Sequence, residues 1–498
     1  MSRKKAIIIG AGISGLSAGC YLQKNGYDTE IFELHSIPGG LCTAWRKGEY
    51  TFDGCVHSIG GLNPRYRMHQ YLNELIDLDQ LEFHFYDELC RVIDTNGNTV
   101  RFYTDPDKLE QELLSIAPED MDFIHSFIKA VKHLAKYDPQ LSKPLELWTP
   151  LDYYLSQFKT APYIGYLVKW RKSMQDMTRN CRSPLLKRVL NLDFFSHFPA
   201  YFFLFSLANL YNKNAGYPIG GSLPLALAIE KAYRELGGKP HYNSKVIRIN
   251  VENSRSVGIT LENGEIYNGA DVVISAADGH YTIFEMLAGK YRNKKIDELY
   301  QKHPMWPSAI LVSLGLSRTF EKEASQLELW LKEPFVVDEQ SWLDSLPITI
   351  YNFDPTLAEE GKTCLRAILK THNYQYWQDL RENDSIRYWR EKEQVAENLI
   401  AILDRQLGNI TPHVEVIDVA TPDTFYRYTN NWKGCTQGWE WLPGLIPETI
   451  KKELPGLKGF YMIGQWVMPG GGVSTALITG RDIVRIICKR DKKKFQGK

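Results

Sequence analysis

The sequence predicts an α/β protein in which a Rossmann-type dinucleotide-binding domain is interrupted by a second, α+β domain. Three observations support this prediction. An apolar run near the amino terminus leads into a glycine-rich turn and a helix, and a second strand–turn–helix pattern stands near the carboxyl terminus. The 498 residues between these ends allow about three folding units at roughly 150 residues per domain.

Composition and charge exclude several other classes of protein. Hydrophobic residues make up 44% and charged residues 24% of the chain, which is ordinary for a globular protein and unlike a disordered one. Lys and Arg number 59, as do Asp and Glu, so no net field favours a nucleic-acid partner. The eight cysteines form neither a C-x-x-C pair nor a zinc spacing. We therefore expect no metal site and no disulfide framework, and a reducing, cytoplasmic compartment.

A βαβ unit is predicted at the amino terminus, with a strand at 5–10, a helix at 12–24 and a strand at 29–33. The glycines of Gly10-x-Gly12-x-x-Gly15 permit a sharp turn and a close approach of the backbone to a pyrophosphate, which the helix amino terminus attracts. An acidic side chain at the end of the second strand is placed to accept hydrogen bonds from a ribose, and it disfavours a 2′-phosphate. The residues expected to contact the dinucleotide here are Gly10, Ala11, Gly12, Ser14, Gly15 and Glu33.

A similar element is predicted near the carboxyl terminus. Residues 459–465 read as a strand that ends in glycine, and Pro469 to Val473 open a helix. Glycines at this turn again permit close backbone approach, and the helix amino terminus stabilises negative charge. The residues expected to contact the cofactor here are Gly464, Gln465, Gly472 and Val473.

Three further segments extend this pattern: the pair Gly39-Gly40, the stretch Phe52-Asp53-Gly54-Cys55-Val56-His57, and the block from Gly216 to Ser222. Together with the terminal motifs, they resemble the carotenoid desaturase, carotenoid isomerase and retinol saturase family of FAD-dependent oxidoreductases. The resemblance spans nearly the whole chain and is weakest over residues 110–210. Two positions differ from the family pattern, because Leu41 stands where many members carry Arg and Cys55 stands where Gly is usual.

The resemblance implies a glutathione-reductase-like FAD-binding domain and assigns further residues to it. Gly39, Gly40, Leu41 and Arg46 would flank the FAD diphosphate and ribityl chain, and the backbone of Val246 would contact the adenine. His57 is the candidate catalytic residue, because its motif could border the flavin. The aromatic residues expected to line a substrate tunnel are Tyr217, Tyr426, Trp432 and Trp466. Cys42 and Cys55 are interpreted as small packing residues, since no partner thiol is evident from the sequence.

The function predicted from this resemblance is FAD-dependent oxidoreduction at carbon–carbon bonds of an apolar polyene, isoprenoid or lipid substrate. The direction of the reaction and the electron acceptor stay open, and no second Gly-x-Gly-x-x-Gly indicates a nicotinamide domain. Two alternatives also stay open. One is an amine-oxidase-type flavoenzyme with an aromatic cage, and the other is a prenyl-lipid-binding module of the Rab GDP-dissociation inhibitor type.

The expected FAD domain is discontinuous, comprising residues 1–105, 215–290 and 416–488. The expected substrate domain, with a possible lid, comprises residues 106–214 and 291–415, and a basic tail covers residues 489–498. Phe194 to Asn212 is aromatic and contains no Asp, Glu, Lys or Arg, so this segment and the tail are candidates for contact with a membrane surface. We therefore expect a cytoplasmic protein with possible peripheral membrane contact.

Overall fold

The structure is a computed structural model that describes residues 3–193, 195–196, 198–444, 449–468 and 470–498. Phe194 and Pro469, named above, lie outside these ranges. The strands are β1 Lys4–Ile9, β2 Tyr27–Phe32, β3 Ala44–Lys47, β4 Tyr50–Asp53, β5 Ile59–Gly60, β6 Phe83–His84, β7 Glu88–Ile93, β8 Thr99–Tyr103, β9 Ala215–Pro218, β10 Lys239–His241, β11 Val246–Glu252, β12 Arg255–Leu261, β13 Ile266–Asn268, β14 Val272–Ser275, β15 Ser308–Leu316, β16 Gln326–Asp338, β17 Ser341–Ile350, β18 Thr363–Thr371, β19 Val414–Ala420 and β20 Phe460–Met462.

The α-helices are α1 Ile13–Lys24, α2 Arg67–Asn73, α3 Pro106–Ile116, α4 Met121–Leu134, α5 Pro150–Lys169, α6 Met174–Met177, α7 Pro184–Leu190, α8 Ala200–Tyr211, α9 Ser222–Glu235, α10 Lys294–Lys302, α11 Tyr374–Asn383, α12 Ser385–Leu407, α13 Pro422–Thr429 and α14 Gly472–Arg490. Short 3₁₀ turns and one π-helical turn, Tyr281–Met286, connect some of them. Within the described ranges, no helix is both long enough and apolar enough to cross a bilayer.

A parallel five-stranded sheet in the order β10-β2-β1-β14-β20 forms the centre of the dinucleotide-binding domain, and this confirms the predicted fold class. Helix α1 joins β1 to β2, and α14 follows β20 and packs against α1. Two glycines make these contacts possible. A Cβ on Gly15 would stand 2.0 Å from the carbonyl oxygen of Gly10, and one on Gly480 would stand 2.6 Å from that of Ser14. Larger residues at either position would push α1 away from β1 or from α14.

A seven-stranded sheet in the order β19-β15-β18-β17-β16-β7-β8 forms the second large unit. One face packs apolar residues such as Leu365, Ala367 and Leu369 of β18 against Leu399 and Leu403 of α12. Alternate residues on β18 point to the opposite face. That inner face includes the side chain of Arg366, which contacts residues of the FAD domain.

Strand pairing differs from the expected division of the chain in two places. β7 pairs with β16 through the register Leu327↔Arg91, and β8 pairs with β7, although both strands fall inside the expected segment 1–105. β19 pairs with β15 and crosses the expected boundary at residue 416. Backbone hydrogen bonds thus join these strands to the sheet of the expected substrate domain. β16 itself was not predicted, because Lys332-Glu333-Pro334 interrupts its apolar alternation.

The aromatic segment before β9 is a core element rather than a surface one. α8 packs among α3, α4 and α7, with Phe203, Leu204 and Leu207 almost fully buried. α8 carries no charged residue because its buried face fills the core of the helical part of the chain. α5, by contrast, has no buried residue and exposes several large apolar side chains.

The expected basic tail is folded onto the FAD domain. α14 continues to Arg490, and the chain then returns so that the ring of Phe495 lies 5.8 Å from that of Tyr21. The Gln496 N–H donates to Asn25 Oδ1 at 2.8 Å, and the Lys493 ammonium lies 4.2 Å from the Tyr27 ring centroid. The tail therefore contributes to packing, so deleting it would remove core contacts as well as charge.

Candidate active site

A long cleft opens at the carboxyl ends of the parallel strands, where open α/β sheets bind their ligands. Gly10 follows β1, Glu33 follows β2, Ala276 to Asp278 follow β14, and Ile463 to Gln465 follow β20. The predicted residues that line the cleft are Gly10, Gly12, Ser14, Glu33, Gly39, Gly40, Leu41, Val246, Gly464, Gln465, Trp466, Gly472 and Val473. The structure thus brings both glycine-rich ends of the sequence to one site.

The cleft fits an extended dinucleotide. α1 and α14 both begin at its wall, and their N-caps, Gly12 and Gly471, place no side-chain acceptor over the first helical N–H groups. Those N–H groups and the positive dipole ends are suited to phosphate oxygens. Val246, expected at the adenine, and Leu41, expected beside the diphosphate and ribityl chain, both line this cleft. Residues expected at different parts of the dinucleotide therefore face one continuous space.

Glu33 is held rigidly at the cleft wall. Its Oε2 accepts the N–H of Ala11 at 2.6 Å, and its Oε1 accepts the N–H of His35 at 2.9 Å. The carboxyl is almost fully buried, and burial raises its pKa above the usual range. Ala11, predicted to contact the cofactor, therefore positions Glu33 instead, while Gly15 packs behind the turn against Gly10.

Arg46 does not reach the cleft, which corrects its predicted role. The side chain is exposed on the β3–β4 hairpin, and its Nε donates to the carbonyl of Gly48 at 3.1 Å. Arg46 stands in the third residue pair of the β3–β4 ladder, counted from the end nearest the glycine pair. The hairpin therefore carries its side chain away from the glycine pair. The helix termini are thus better placed than this cation to stabilise a diphosphate.

His57 follows the cleft-lining Cys55 by two residues but is not itself among the residues that line the cleft. The residue is solvent-exposed, yet protein atoms surround the ring densely enough for desolvation to dominate its titration. The guanidinium Nη2 of Arg366 stands 3.5 Å from His57 Nδ1, and the Tyr86 hydroxyl donates to the His57 carbonyl at 3.2 Å. Burial and the charge of Arg366 lower the pKa of His57 to about 3. The imidazole is therefore neutral at physiological pH, with Nδ1 as the acceptor and Nε2 carrying the proton.

Asp53 links the residues around His57 through its hydrogen bonds. Its carboxylate accepts hydrogen bonds from the Ser222 hydroxyl at 2.6 Å, the Tyr217 hydroxyl at 3.0 Å and the N–H groups of Ser222 and Cys55. Its carbonyl accepts from Arg366 Nη1 at 2.9 Å. Asp53 therefore joins the FAD domain to the inner face of the seven-stranded sheet.

The four aromatic candidates occupy different places. Trp466 lines the cleft, whereas Tyr217 is fully buried and donates to Asp53. Trp432 stacks on His280 with ring centroids 4.6 Å apart, and Tyr426 packs edge-on to Tyr374. Of the four candidates, only Trp466 is among the residues that line the cleft.

Cys42 and Cys55 both line the cleft, and their sulfur atoms are 4.0 Å apart. The interpretation that neither cysteine has a partner thiol is wrong, because the β3–β4 hairpin brings them together across 13 residues of sequence. The sequence signal for this contact was that Cys42 lies two residues before β3 and Cys55 two residues after β4, which are equal distances from the turn.

Sequence reasoning also missed Asp278 and Arg366. Asp278 lines the cleft three residues after the end of β14, and it accepts the N–H groups of Tyr281 at 2.8 Å and Trp432 at 3.0 Å. Burial raises its pKa to about 6. Its position after a buried strand could have identified it. Arg366 stands inside a strand, where only the pairing of sheets and domains reveals its neighbours.

Comparison with known proteins identifies the class of protein that this fold and cleft define. The family described as flavin-containing amine oxidoreductase matches residues 13–488. The chain belongs to this family and is an FAD-dependent oxidoreductase, so FAD is the cofactor that the cleft accommodates. Loaded with FAD, such a site supplies hydride chemistry at the flavin ring.

Curated relatives match almost the whole chain at low identity. A chloroplastic prolycopene isomerase of Daucus carota is 24% identical, with 95% of this chain and 78% of the relative covered. A 4,4'-diapophytoene desaturase of Methylomonas sp is 23% identical, covering 99% and 97%. An all-trans-retinol 13,14-reductase of Danio rerio is 23% identical, covering 96% and 85%. These relatives confirm the resemblance found in the sequence.

Solved structures share the fold. An oxidoreductase from Methanosarcina mazei has a TM-score of 0.58 at 19% identity, covering 97% of this chain and all of that one. A putrescine oxidase variant has a TM-score of 0.59 at 15% identity, covering 98% and 99%. A Rab GDI from Plasmodium falciparum has a TM-score of 0.50 at 12% identity, covering 99% of each chain. Since oxidases and a GDI share this fold, the fold alone does not select among these activities.

Proposed function

We propose that this flavoenzyme desaturates, saturates or isomerises carbon–carbon bonds of an apolar polyene, isoprenoid or lipid. The observation that carries the proposal is the combination of a complete FAD cleft with relatives named for these three reactions over nearly the whole chain. The chain's own part is to bind and orient the substrate at the flavin end and to exclude water there.

Anaerobic assays test the proposal and its direction together. Oxidised and reduced holoenzyme are each mixed with polyenes that differ in the number and geometry of double bonds. A desaturase bleaches the oxidised flavin with a saturated substrate, and a saturase restores the flavin colour with an unsaturated one. An isomerase changes double-bond geometry, detected by chromatography, with no net change in flavin redox state. Absence of all three outcomes, with turnover of an amine instead, would contradict the proposal.

His57 acts in this proposal as a neutral N–H donor toward the substrate. Arg366 is a positioning residue, since its guanidinium occupies the Nδ1 side and directs the proton to Nε2. Asp53 holds Arg366 through its carbonyl. A neutral donor can polarise or orient a substrate double bond without placing a cation against an apolar chain.

The aromatic residues give less support to amine oxidation. A cage requires two rings that face each other across the substrate, but Trp432 and Trp466 are tilted by 53° with centroids 6.3 Å apart. Trp432 is engaged with His280 and Tyr300 instead. A purified yellow protein that turns over a polyene would also separate this enzyme from a lipid carrier without redox chemistry.

In this proposal, α5 makes the peripheral membrane contact through which a water-insoluble substrate is collected. Leu151, Tyr154 and Phe158 are 63%, 62% and 62% exposed on the first half of the helix. The second half is anchored, because Tyr166 stacks on His133 with centroids 4.1 Å apart. Large exposed aromatic and aliphatic residues on an anchored helix are suited to insertion at the interface of a bilayer.

Vesicle sedimentation tests this surface. The triple variant Leu151→Ser, Tyr154→Ser, Phe158→Ser should lose most binding to vesicles of phosphatidylglycerol and phosphatidylcholine. The matched control is Ile386→Ser, Trp389→Ser on α12, which removes equally exposed apolar residues, 75% and 59% open, from another surface. Equal binding of both variants, or no binding by the wild type, would contradict the assignment.

A further inference from the structure

Two thiols face each other in the wall of the FAD cleft. Cys42 follows the glycine-pair loop and Cys55 precedes the His57 stretch, and their sulfur atoms are 4.0 Å apart. Cys42 is buried, while Cys55 is half-buried, so Cys55 is the more accessible of the two thiols. The FAD-dependent activity assigns no role to either thiol.

The hairpin register explains why the two thiols meet. β3 and β4 pair Ala44 with Asp53, and the N–H of Gly54 donates to the carbonyl of Thr43 at 2.9 Å. This hydrogen bond extends the hairpin one step beyond the ladder, and Cys42 and Cys55 come next on its two sides, with their sulfur atoms 4.0 Å apart. Directly opposed antiparallel residues have Cα atoms about 4.5 to 5.5 Å apart, within the roughly 4.4 to 6.8 Å that a disulfide bridges.

Local hydrogen bonds hold both residues in this arrangement. The Cys42 N–H donates to the Gly39 carbonyl at 3.0 Å, and the Cys55 N–H donates to Asp53 Oδ1 at 2.8 Å. Formation of a bond between the sulfur atoms therefore requires side-chain rotation and little backbone movement. Cys55 also occupies the position where the family pattern has glycine, which makes the pair a feature of this chain.

We propose that Cys42 and Cys55 form a reversible dithiol–disulfide couple in the wall of the FAD cleft, oxidised by a small-molecule disulfide of the glutathione type. The Cys55 thiolate attacks one sulfur of that disulfide and releases the other as a thiolate. The Cys42 thiolate then attacks the Cys55 sulfur and releases the second thiolate. The pair loses two electrons and two protons, and the small disulfide becomes two thiols.

The environment of Cys42 sets the speed of this exchange. Its pKa is raised well above the usual range by the Cys55 thiol, by burial and by the Asp53 carboxylate. Thiolate is therefore scarce at neutral pH, and resolution of the mixed disulfide should become faster as pH rises. The disulfide would tie the glycine-pair loop to the stretch that carries His57.

The test uses holoenzyme purified under dithiothreitol, freed of it without oxygen and incubated with oxidised glutathione. Alkylation after denaturation should then find six reactive thiols instead of the eight in the sequence. Peptide mapping should show a Cys42–Cys55 cross-link that dithiothreitol reverses. Cys55→Gly should keep all its remaining thiols alkylatable, and Cys55→Ser repeats the comparison if the glycine variant folds poorly. The matched control Cys181→Ser should still form the cross-link.

Three results would overturn the proposal: eight alkylated thiols after incubation with oxidised glutathione, a glutathione adduct on Cys55 that Cys42 does not resolve, or a cross-link to a different cysteine. Each is read from thiol counts and peptide masses. The outcome is therefore independent of whether a polyene substrate is ever turned over.

Discussion

Two buried arginines, Arg481 in the FAD domain and Arg366 on the seven-stranded sheet, are paired in different ways. Arg481 donates to both carboxylate oxygens of Glu74, at 2.7 and 3.0 Å, and stacks 3.9 Å from the Tyr71 ring. Arg366 donates to the Asp53 carbonyl and faces His57, while its nearest carboxylate contact is 3.9 Å away. Within the described residues, its Nε has no hydrogen-bond partner.

The difference separates a charge that is paired within one domain from a charge to which we assign a positioning role in the proposed activity. Arg481 balances the charge of Glu74 inside one domain and fixes α14 against α2. Arg366 lies where two sheets meet, and the carboxylate that could neutralise it is already satisfied by Ser222 and Tyr217. Buried polar groups that lack a full set of partners, and that lie beside groups with shifted pKa values, are concentrated at functional sites.

Arg481→Met should give the largest loss of stability. The substitution leaves the Glu74 carboxylate buried without its cation, and breaking such a pair costs about 3 to 5 kcal/mol. Urea unfolding of the holoenzyme measures the change in the free energy of unfolding. The control is Arg485→Met one turn along α14, whose guanidinium donates to the exposed Ser142 carbonyl and should cost much less. Equal losses in both variants would show that the ion pair is not the main contributor.

Glu33→Ala should give a smaller loss, seen in cofactor affinity. Glu33 is a buried carboxylate held by N–H groups, whereas Glu74 is held by the Arg481 cation. Its substitution therefore shows what a buried carboxylate without a cation contributes. Loss of a charged hydrogen bond to a ribose costs on the order of 1.5 to 3 kcal/mol, which is roughly 10- to 150-fold in FAD affinity. Equilibrium dialysis measures that affinity. The remaining holoenzyme should keep its turnover, and an unchanged affinity would remove Glu33 from the FAD site.

The FAD cleft was predictable because its signals are local in sequence. The motif Gly10-x-Gly12-x-x-Gly15, the acid after β2 and the glycines before α14 each act within about 25 residues, so spacing alone indicates their chemistry. Asp278 follows the same rule and could have been found by it. Arg46 was misplaced because the exit of the β3–β4 hairpin was not predicted.

The substrate side was not predictable in the same way. Arg366 meets Asp53 across 313 residues of sequence, and β7 joins β16 across more than 200. These contacts depend on how distant strands pair and how the sheets pack. Such long-range pairing produces no periodic pattern in the local sequence. α8 and α5 show the same limit, since both read as apolar and aromatic, and only tertiary packing buries one and exposes the other.

Arg366→Met should have the smallest effect on stability and a selective effect on activity. Asp53 keeps its other donors, so the free energy of unfolding should fall by only about 1 to 2 kcal/mol. Turnover should fall roughly 10- to 100-fold, because the His57 ring loses the group that fixes its Nδ1 side. Arg366→Lys keeps the positive charge and should recover part of that loss.

The pH dependence then distinguishes positioning from simple packing. The pKa of His57 in the folded chain is about 3, well below its ordinary value of about 6.5, so the unfolded chain binds a proton that the folded chain does not. Stability is therefore lost as pH falls through this interval. Removing the charge of Arg366 raises the His57 pKa, which should lessen that loss and move the acid limb of turnover to higher pH. Histidine NMR, with His57→Gln used for assignment, checks the titration directly, and an unshifted His57 resonance in Arg366→Met would contradict the positioning role.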